Sequence, residues 1–331
     1  MKAIGIGLIV ILMGIAIVEG LLQLLFGFGR PPLYQADDKI GYLLAPDQRL
    51  RRFGNRIEIN QYSMRSHAPT VPKPAQTLRV FLIGDSIVNG NWWTDQTQTL
   101  SALLEQSLTL SLPALPKAYS RVEVLNASAN SWGPRNQKAY LERFGTFESQ
   151  LVVLVLNTDD LFATEPTSLQ VGRDRSYPNI SPRFALVELA NRYLKKPIPI
   201  PELKAIQAEP GDRVGLNLKA VQQIKQQVDS QGGRLILVMT PLKREVLSGP
   251  RDYEVTARER VDAFVAEQTL PYLDLLPVFS DQFSNQGDIK SWYRDHIHLS
   301  PTGNQVVCDR IQTVIQNQLA ISDISKARQA D

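Results

Sequence analysis

The chain has 331 residues, of which 43% are hydrophobic and 21% are charged, and its formal net charge at pH 7 is +3. This composition is typical of a globular protein, and the nearly neutral charge, without a clustered basic face or interleaved aromatic and basic residues, argues against a nucleic-acid partner. The single cysteine, Cys308, excludes an intramolecular disulfide framework and a cysteine-based zinc site.

The first predicted element is a membrane-spanning helix. Residues 3–28 hold two strongly polar side chains, Glu19 and Gln23, in an otherwise apolar segment, and ~20 apolar residues suffice to cross a bilayer. Residues 1–29 are therefore predicted to be an uncleaved transmembrane anchor, in which Glu19 reaches the polar headgroups. The alternative is a cleaved signal peptide, because residues 27–29, Gly-Phe-Gly, form a weak small-x-small pattern.

The charges beside this segment give little guidance on its orientation. Lys2 lies on one side, and basic residues also follow on the other, among them Arg30 and Lys39. Long domains are translocated largely regardless of such charges, so the rest of the chain is expected to be extracytoplasmic, in the periplasm.

Residues 30–77 are predicted to be a connecting segment that packs along the following domain without a core of its own. The segment is rich in proline and shows only short extended pieces, such as 56–60. Its basic cluster is expected to be solvated, with contact to anionic headgroups as the alternative. The members of this cluster are Arg49, Arg51, Arg52 and Arg56.

From residue 78 onward, apolar runs alternate with helical patterns. The runs predict strands at 79–83, 122–125, 151–156, 235–239 and 272–275, and the helical patterns lie at 100–110, 136–144, 216–230, 256–267 and 303–319. Continuous apolar strands separated by helices are typical of a parallel sheet covered on both faces, so residues 78–320 are predicted to form a doubly wound, flavodoxin-like α/β domain with five strands. Residues 163–212 interrupt this pattern and predict an insertion over one end of the sheet, and residues 321–331 form a polar tail.

Polar residues follow the first three of these strands. They are Gly-Asp-Ser at 84–86, Asn-Ala-Ser-Ala-Asn-Ser-Trp-Gly at 126–133 and Asn-Thr-Asp-Asp at 157–160. Ligands of doubly wound sheets bind at the carboxyl ends of the strands, so these turns are candidates for a site. The segment 295–301, which precedes the last helix, adds two of the three histidines in the chain.

This ordered set of turns, together with Asp-x-x-His at 295–298, resembles the SGNH (GDSL-type) hydrolase family over roughly residues 78–320. The upstream region, with its apolar segment, Gly41-Tyr42 and residues 60–66, resembles membrane-anchored bacterial members. By position, the resemblance implies that Ser86 is a nucleophile and that no cofactor is used. It implies further that His298 is the base and Asp295 the acid that orients it.

The chemistry of these side chains agrees with the resemblance. A serine hydroxyl is a poor nucleophile until a neighbouring base takes its proton, and a histidine side chain suits that task near neutral pH. A carboxylate three residues before the histidine can accept a hydrogen bond from the other ring nitrogen and stabilise the imidazolium.

The oxyanion hole departs from the pattern of the family, which uses the backbone N–H of the serine, the N–H of a glycine and an asparagine amide. Ser131 stands at the glycine position and Asp159 at the asparagine position, with Asn157 two residues earlier. An ionised carboxylate ~4 Å from an oxyanion repels it by ~4 kcal/mol, which is comparable to the benefit of one donor. Three explanations remain open: Asp159 is protonated, Asn157 or Asn130 supplies the amide, or the protein does not hydrolyse ordinary esters.

A bound divalent cation is a further reading of the acidic residues Asp85, Asp159 and Asp160. Acids at strand ends more often cap helices, so no metal is expected. The predicted function is therefore hydrolysis of an O-acyl ester, with O-acetyl preferred, on a carbohydrate or a lipid. The alternatives are an O-acyltransferase that modifies an envelope polysaccharide and a catalytically inactive binding protein with the same fold.

Overall fold

The computed structural model describes residues 2–284 and 288–330. Met1 and Asp331, the outer ends of the predicted anchor and tail, lie outside the described residues. The first element is helix α1 (Lys2–Phe26), in which Ile4–Phe26 are long and apolar enough to cross a membrane. Length and composition alone support this, and a signal sequence would satisfy the same criterion.

Two antiparallel hairpins occupy the region predicted to be a connecting segment. The first joins β1 (Tyr34–Asp37) to β2 (Gly41–Leu44), and the second joins β3 (Gln48–Arg52) to β4 (Asn55–Ile59). Their buried side chains, such as those of Leu43 and Ile57, belong to the same hydrophobic core as one face of the main sheet.

Two polar residues of the N-terminal region have partners that the sequence did not reveal. Arg52 was predicted to be solvated, and this is wrong: the side chain is buried and donates to both carboxylate oxygens of Glu188, at 2.8 and 3.1 Å. Glu19 accepts hydrogen bonds from the backbone N–H groups of Ala185 (2.6 Å) and Leu186 (3.0 Å).

The main sheet has five parallel strands in the order β6-β5-β7-β8-β9. Their bounds are Thr77–Gly84 (β5), Arg121–Ser128 (β6), Leu151–Asn157 (β7), Arg234–Thr240 (β8) and Tyr272–Asp274 (β9). The predicted doubly wound sheet is confirmed. In its register Gly84 lies opposite both Ser128 and Val155, so the three turns that follow β5, β6 and β7 meet at one edge.

Helices cover both faces of this sheet. They are α2 (Ser86–Asn89), α3 (Leu100–Leu110), α4 (Pro134–Phe144), α5 (Ala185–Leu189), α6 (Pro201–Gln207), α7 (Arg213–Ser230), α8 (Lys243–Ser248), α9 (Asp252–Gln268), α10 (Leu276–Ser284) and α11 (Pro301–Ala330). Helices α4, α7 and α9 pack on one face, and α3, α10 and α11 pack on the other. Helix α11 continues through most of the predicted polar tail. Residues 163–212 contain α5, a π-helical turn at Ala190–Leu194, and α6.

A buried ion pair joins β5, the strand that leads to Ser86, to the neighbouring strand β6. The Arg79 guanidinium donates to Glu123 at 2.8 Å and also to the carbonyl of Phe147 at 2.6 Å. We expect Glu123→Ala to lower the free energy of unfolding by about 3–5 kcal/mol, because it leaves a buried guanidinium without a counter-charge. Chemical unfolding followed by circular dichroism measures the effect.

Glu142→Ala is the matched control, because it removes an exposed carboxylate paired with Lys138 at i,i+4. Such a pair contributes about 0.3–0.5 kcal/mol. Equal effects of the two substitutions would contradict the importance assigned to the buried pair.

Candidate active site

The turn between β5 and α2 consists of Gly84, Asp85 and Ser86. A Cβ on Gly84 would lie 2.5 Å from Val88 Cγ2 and 2.9 Å from the carbonyl oxygen of Val155, so this close approach requires glycine. Asp85 caps α2, because its Oδ1 accepts from the N–H of Ile87 at 2.8 Å. Ser86 is thereby fixed as the first residue of α2 at the carboxyl edge of the sheet.

The candidate nucleophile, base and orienting acid lie in one chain of hydrogen bonds. His298 Nε2 is 2.9 Å from Ser86 Oγ, and His298 Nδ1 is 2.7 Å from Asp295 Oδ2. The other oxygen of Asp295 accepts from the N–H groups of Ile297 and His298. Partial burial raises the pKa of Asp295, but these hydrogen bonds outweigh burial and hold the pKa below its usual value. Asp295 is therefore kept as a carboxylate.

The loop that carries His298 is held from several sides. The N–H of Arg294 donates to the carbonyl of His298 at 2.8 Å, and the hydroxyl of Tyr293 donates to the carbonyl of Pro241 at 2.8 Å. The Trp93 ring packs edge-on against the imidazole, with ring centroids 4.8 Å apart. These contacts fix the orientation of the imidazole toward Ser86.

Ser131 adopts a left-handed backbone conformation, with φ at +59°. This conformation favours glycine, the residue that was expected at this position from the resemblance to the family. The hydroxyl of Tyr177, from the insertion, donates to Ser131 Oγ at 3.1 Å. The Tyr177 ring packs against Tyr34 and Tyr42, at centroid distances of 5.0 and 5.1 Å, so hairpin β1–β2 and the insertion together support this turn.

Asn157 is buried and both of its amide hydrogens have acceptors. Its Nδ2 donates to Asp85 Oδ2 at 3.0 Å and to Asp160 Oδ2 at 2.9 Å, and Asp160 also accepts from the N–H of Asn157. The amide thus bridges two carboxyl groups behind the turn. Donation to a substrate oxyanion would require one of these hydrogen bonds to break.

The two bridged carboxyl groups have raised pKa values. Burial raises the pKa of Asp85 to about 6. Burial and the neighbouring Asp85 raise the pKa of Asp160 well above its usual value, although hydrogen bonds from Asn157 act in the opposite direction. Two buried carboxyl groups on one amide cannot both ionise easily, so Asp160 holds a proton under conditions in which an ordinary aspartate has lost it.

Asp159 lies in the wall of the same pocket with an exposed side chain. Partial burial, together with the nearby Glu254 and Glu245, raises its pKa. Within residues 2–284 and 288–330 its carboxylate accepts no hydrogen bond. Asn130 also lines the pocket, and in the described part of the chain its buried side-chain carbonyl oxygen has no hydrogen-bond partner.

The pocket around Ser86 has a volume of about 770 Å³ and is open to solvent. Its wall contains both aromatic rings and polar side chains. The aromatic members are Tyr34, Tyr42, Trp92, Trp93, Phe162 and Tyr177, and the polar members include Gln170, Glu165 and Gln207. No group of three or more His, Cys, Asp or Glu side chains able to hold a metal ion occurs among the described residues.

The sequence did not predict that Tyr34, Tyr42, Trp93 and Tyr177 line the pocket. They come from three separate segments, and no pattern in these segments indicates that their side chains meet at one site. The aromatic content of the connecting segment and the insertion does not exceed the 8% of the whole chain by any useful margin, so composition gives no signal for these residues.

A parallel sheet in this order, with serine, histidine and aspartate joined at its carboxyl edge, is the arrangement expected of an α/β hydrolase of the serine type. Residues 82–306 match the sequence model of the GDSL-like lipase/acylhydrolase family. The match covers more than half of the chain, and the chain belongs to this family. The resemblance to SGNH hydrolases is thereby confirmed.

Several solved structures resemble the fold at low sequence identity. The acetyl xylan esterase AlAXEase is 14% identical, with 72% of this chain and 99% of that chain covered and a TM-score of 0.47. TesA is 15% identical, with 72% and 98% covered and a TM-score of 0.45. The acetylxylan esterase Axe2 from Geobacillus stearothermophilus is 15% identical, with 72% and 93% covered and a TM-score of 0.47. No curated protein matches the sequence.

The raised pKa of Asp160 makes the stability of the fold depend on pH. The stabilising effect of its proton is fully present below the pKa of the unfolded chain, about 3.9, and is lost as the pH rises toward the folded-state pKa. Asp160→Asn keeps an acceptor oxygen for Asn157 and cannot ionise. We therefore expect the free energy of unfolding of the variant, minus that of wild type, to increase from about pH 4 upward, by at most about 1.4 kcal/mol per pH unit.

Urea unfolding at a series of pH values measures this difference. Asp229→Asn, which removes an exposed carboxylate paired with Lys225, is the control for the loss of one negative charge. If the free energy of unfolding of Asp160→Asn minus that of wild type stays constant or falls as the pH rises, Asp160 is not protonated in the folded protein.

Proposed function

We propose that the protein is a serine ester hydrolase in which Ser86 is the nucleophile, His298 the general base and Asp295 the residue that orients His298. The observation that carries this proposal is the unbroken chain of hydrogen bonds from Asp295 through His298 to Ser86 Oγ, with distances of 2.7 and 2.9 Å. A catalytically inactive binding protein has no need of this arrangement.

In the proposed reaction, Ser86 Oγ attacks the acyl carbonyl while His298 Nε2 takes its proton. The tetrahedral intermediate collapses to an acyl-enzyme, and Nε2 returns the proton to the departing alcohol. A water molecule then attacks the acyl-enzyme, with His298 again as the base, and releases the carboxylic acid. Asp295 remains ionised throughout and stabilises the imidazolium, consistent with its lowered pKa.

The oxyanion would be held by the backbone N–H groups of Ser86 and Ser131, with a third group beside them. Asn157 is poorly placed for that role, because its amide hydrogens are already donated to Asp85 and Asp160. Asp159 in its protonated form and the side-chain amide of Asn130, which also lines the pocket, are the two remaining candidates.

We propose an O-acyl ester of a carbohydrate or a lipid as substrate, with O-acetyl as the preferred acyl group. The size and openness of the pocket support an acceptor much larger than the acyl group. Tyrosine and tryptophan offer apolar faces with polar edges, which suit the faces and hydroxyl groups of a sugar. Transfer of the acyl group to a second sugar would follow the same first step and differ only in the final acceptor.

We also propose that α1 is retained as an anchor and that the catalytic domain is periplasmic. The candidate cleavage site at residues 27–29 is built into the fold: Phe28 is buried, the carbonyl of Gly27 accepts from Arg52 at 2.8 Å, and the N–H of Gly29 donates to Glu188 at 2.6 Å. Cleavage there would remove groups that complete a buried ion pair.

The proposal is tested with the full chain in detergent and a short-chain p-nitrophenyl ester. We expect Ser86→Ala and His298→Ala each to lower kcat/KM by at least about a thousandfold, because the nucleophile and its base act as a unit. His67→Ala, which removes a surface histidine, is the control and should retain wild-type activity. Wild-type rates in Ser86→Ala would overturn the proposal. A second outcome concerns the acceptor of the acyl group: if added oligosaccharide becomes acylated and less free acid is released, the protein is a transferase.

Asp159 gives a second test of the site. Its ionised form repels the oxyanion, and ionisation grows as the pH rises through its raised pKa. We therefore expect Asp159→Asn to increase kcat by about tenfold or more at pH 8, and the ratio of variant to wild-type rates to be smaller at pH 5.

A pH–rate profile that includes Asn130→Ala identifies the amide donor. A loss of about a hundredfold in Asn130→Ala, together with no change in Asp159→Asn at any pH, would assign the role to Asn130 and contradict the expectation for Asp159.

A further inference from the structure

The insertion carries an unusual concentration of exposed apolar side chains. Beyond α1, fourteen large hydrophobic side chains of the described residues are exposed, and six of them fall between residues 180 and 198. These six, which we call the insertion patch, are Ile180, Phe184, Val187, Tyr193, Leu194 and Ile198. Leu194 and Ile198 are each 81% exposed, so they contribute almost nothing to the core. Apolar clusters of this kind usually mark an interaction surface.

The insertion patch lies against the end of α1. The Glu19 carboxylate accepts from the N–H groups of Ala185 and Leu186, the first two residues of α5. Glu19 precedes the last residue of α1, Phe26, by seven positions, which corresponds to about 10 Å along the helix axis. The start of α5 is therefore held level, along the axis of α1, with the last two turns of the membrane-spanning segment.

A buried clamp makes this attachment rigid. Arg52 binds Glu188 of α5 and the carbonyl of Gly27, and Glu188 accepts from the N–H of Gly29. The Phe28 ring lies between the Arg52 guanidinium, 4.9 Å from its centroid, and the Tyr193 ring at 6.3 Å. The insertion patch thus has a fixed position relative to the point at which α1 leaves the bilayer.

The charges beside the insertion patch are suited to an anionic surface. Arg183, Lys195 and Lys196 are exposed within the same stretch, and Arg30 is exposed just after α1. Each basic residue close to anionic headgroups contributes about 1 kcal/mol. Exposed aromatic and aliphatic side chains flanked by lysine and arginine are typical of segments that lie in the membrane interface.

We propose that the insertion patch docks on the surface of the same anionic bilayer that α1 crosses. The inference rests on the proposed membrane anchor and is independent of ester hydrolysis. It also has a consequence for access to the site. Pro31, Pro32 and Arg192 line the pocket, so docking holds the pocket beside the bilayer surface, where a membrane-attached acylated substrate would reach it.

The test uses the full chain in vesicles that contain phosphatidylglycerol and doxyl-labelled lipid. The buried Cys308 is replaced by serine, and single cysteines at Leu194 or Ile198 carry an environment-sensitive fluorophore. Ile11→Cys, in the middle of α1, reports on the anchor. Leu110→Cys is the matched control, because Leu110 is 76% exposed but lies at the end of α3, next to the amino edge of the sheet.

We expect quenching at positions 11, 194 and 198 and none at position 110. Quenching at position 11 without quenching at 194 and 198 would overturn docking and leave the anchor intact, and no quenching at position 11 would overturn both. The fluorophores at 194 and 198 could instead become shielded from water as the protein concentration increases, without quenching by the labelled lipid. That result would assign the insertion patch to contact with a second copy of the chain and overturn the inference. Leu194 and Ile198 do not line the pocket, so hydrolysis of a soluble ester by these variants tests the proposed function separately.

Discussion

The contact between His298 Nε2 and Ser86 Oγ is the constraint around which the carboxyl edge of the sheet is organised. The two residues are 212 positions apart, so the contact depends on the correct placement of most of the fold. Glycine at position 84 allows β5 to approach Val155 closely and to turn directly into α2. On the other side, α11 is tied to the start of α3, since Asn304 Nδ2 donates to the carbonyl of Gln98 at 3.2 Å. The loop before α11 is thereby brought to Ser86.

Much of this arrangement could be predicted from the sequence, because local patterns determine it. The five strands are nearly continuous apolar runs, and the register of a parallel sheet places the turns that follow β5, β6 and β7 together. Ser86, Asp295 and His298 occupy such turns and loops. The extended piece predicted at 56–60 overlaps β4, but the pairing into hairpins β1–β2 and β3–β4 was not predicted. Their strands have only four or five residues, and their buried positions depend on the surface they cover.

The sequence did not reveal the partners of polar residues when those partners lie far away in the chain. Arg52 stands in a basic stretch that looks solvated, yet Glu188, 136 positions later, buries it. Glu19 looks like an acid at the end of a membrane span, yet it caps a helix 166 positions later. Nothing near either residue indicates these partners. The same holds for Ser131, whose left-handed conformation is accompanied by a hydrogen bond from Tyr177 of the insertion.

The insertion therefore has contacts at two places, the candidate oxyanion turn through Tyr177 and the end of α1 through Glu188. One place holds Ser131 in its left-handed conformation, and the other holds the apolar helix α1. Residues 163–212 therefore link the turn after β6 to the end of α1.

The central claim is that His298 and Asp295 activate Ser86 as a nucleophile. Its most direct test is covalent labelling of the full chain with a fluorophosphonate, because labelling requires an activated serine and little fit to a substrate. Mass spectrometry of the peptide that contains residue 86 detects the label. We predict one phosphonyl adduct, on Ser86, that is lost in His298→Ala. An unlabelled Ser86, or labelling that persists unchanged in His298→Ala, would contradict the account.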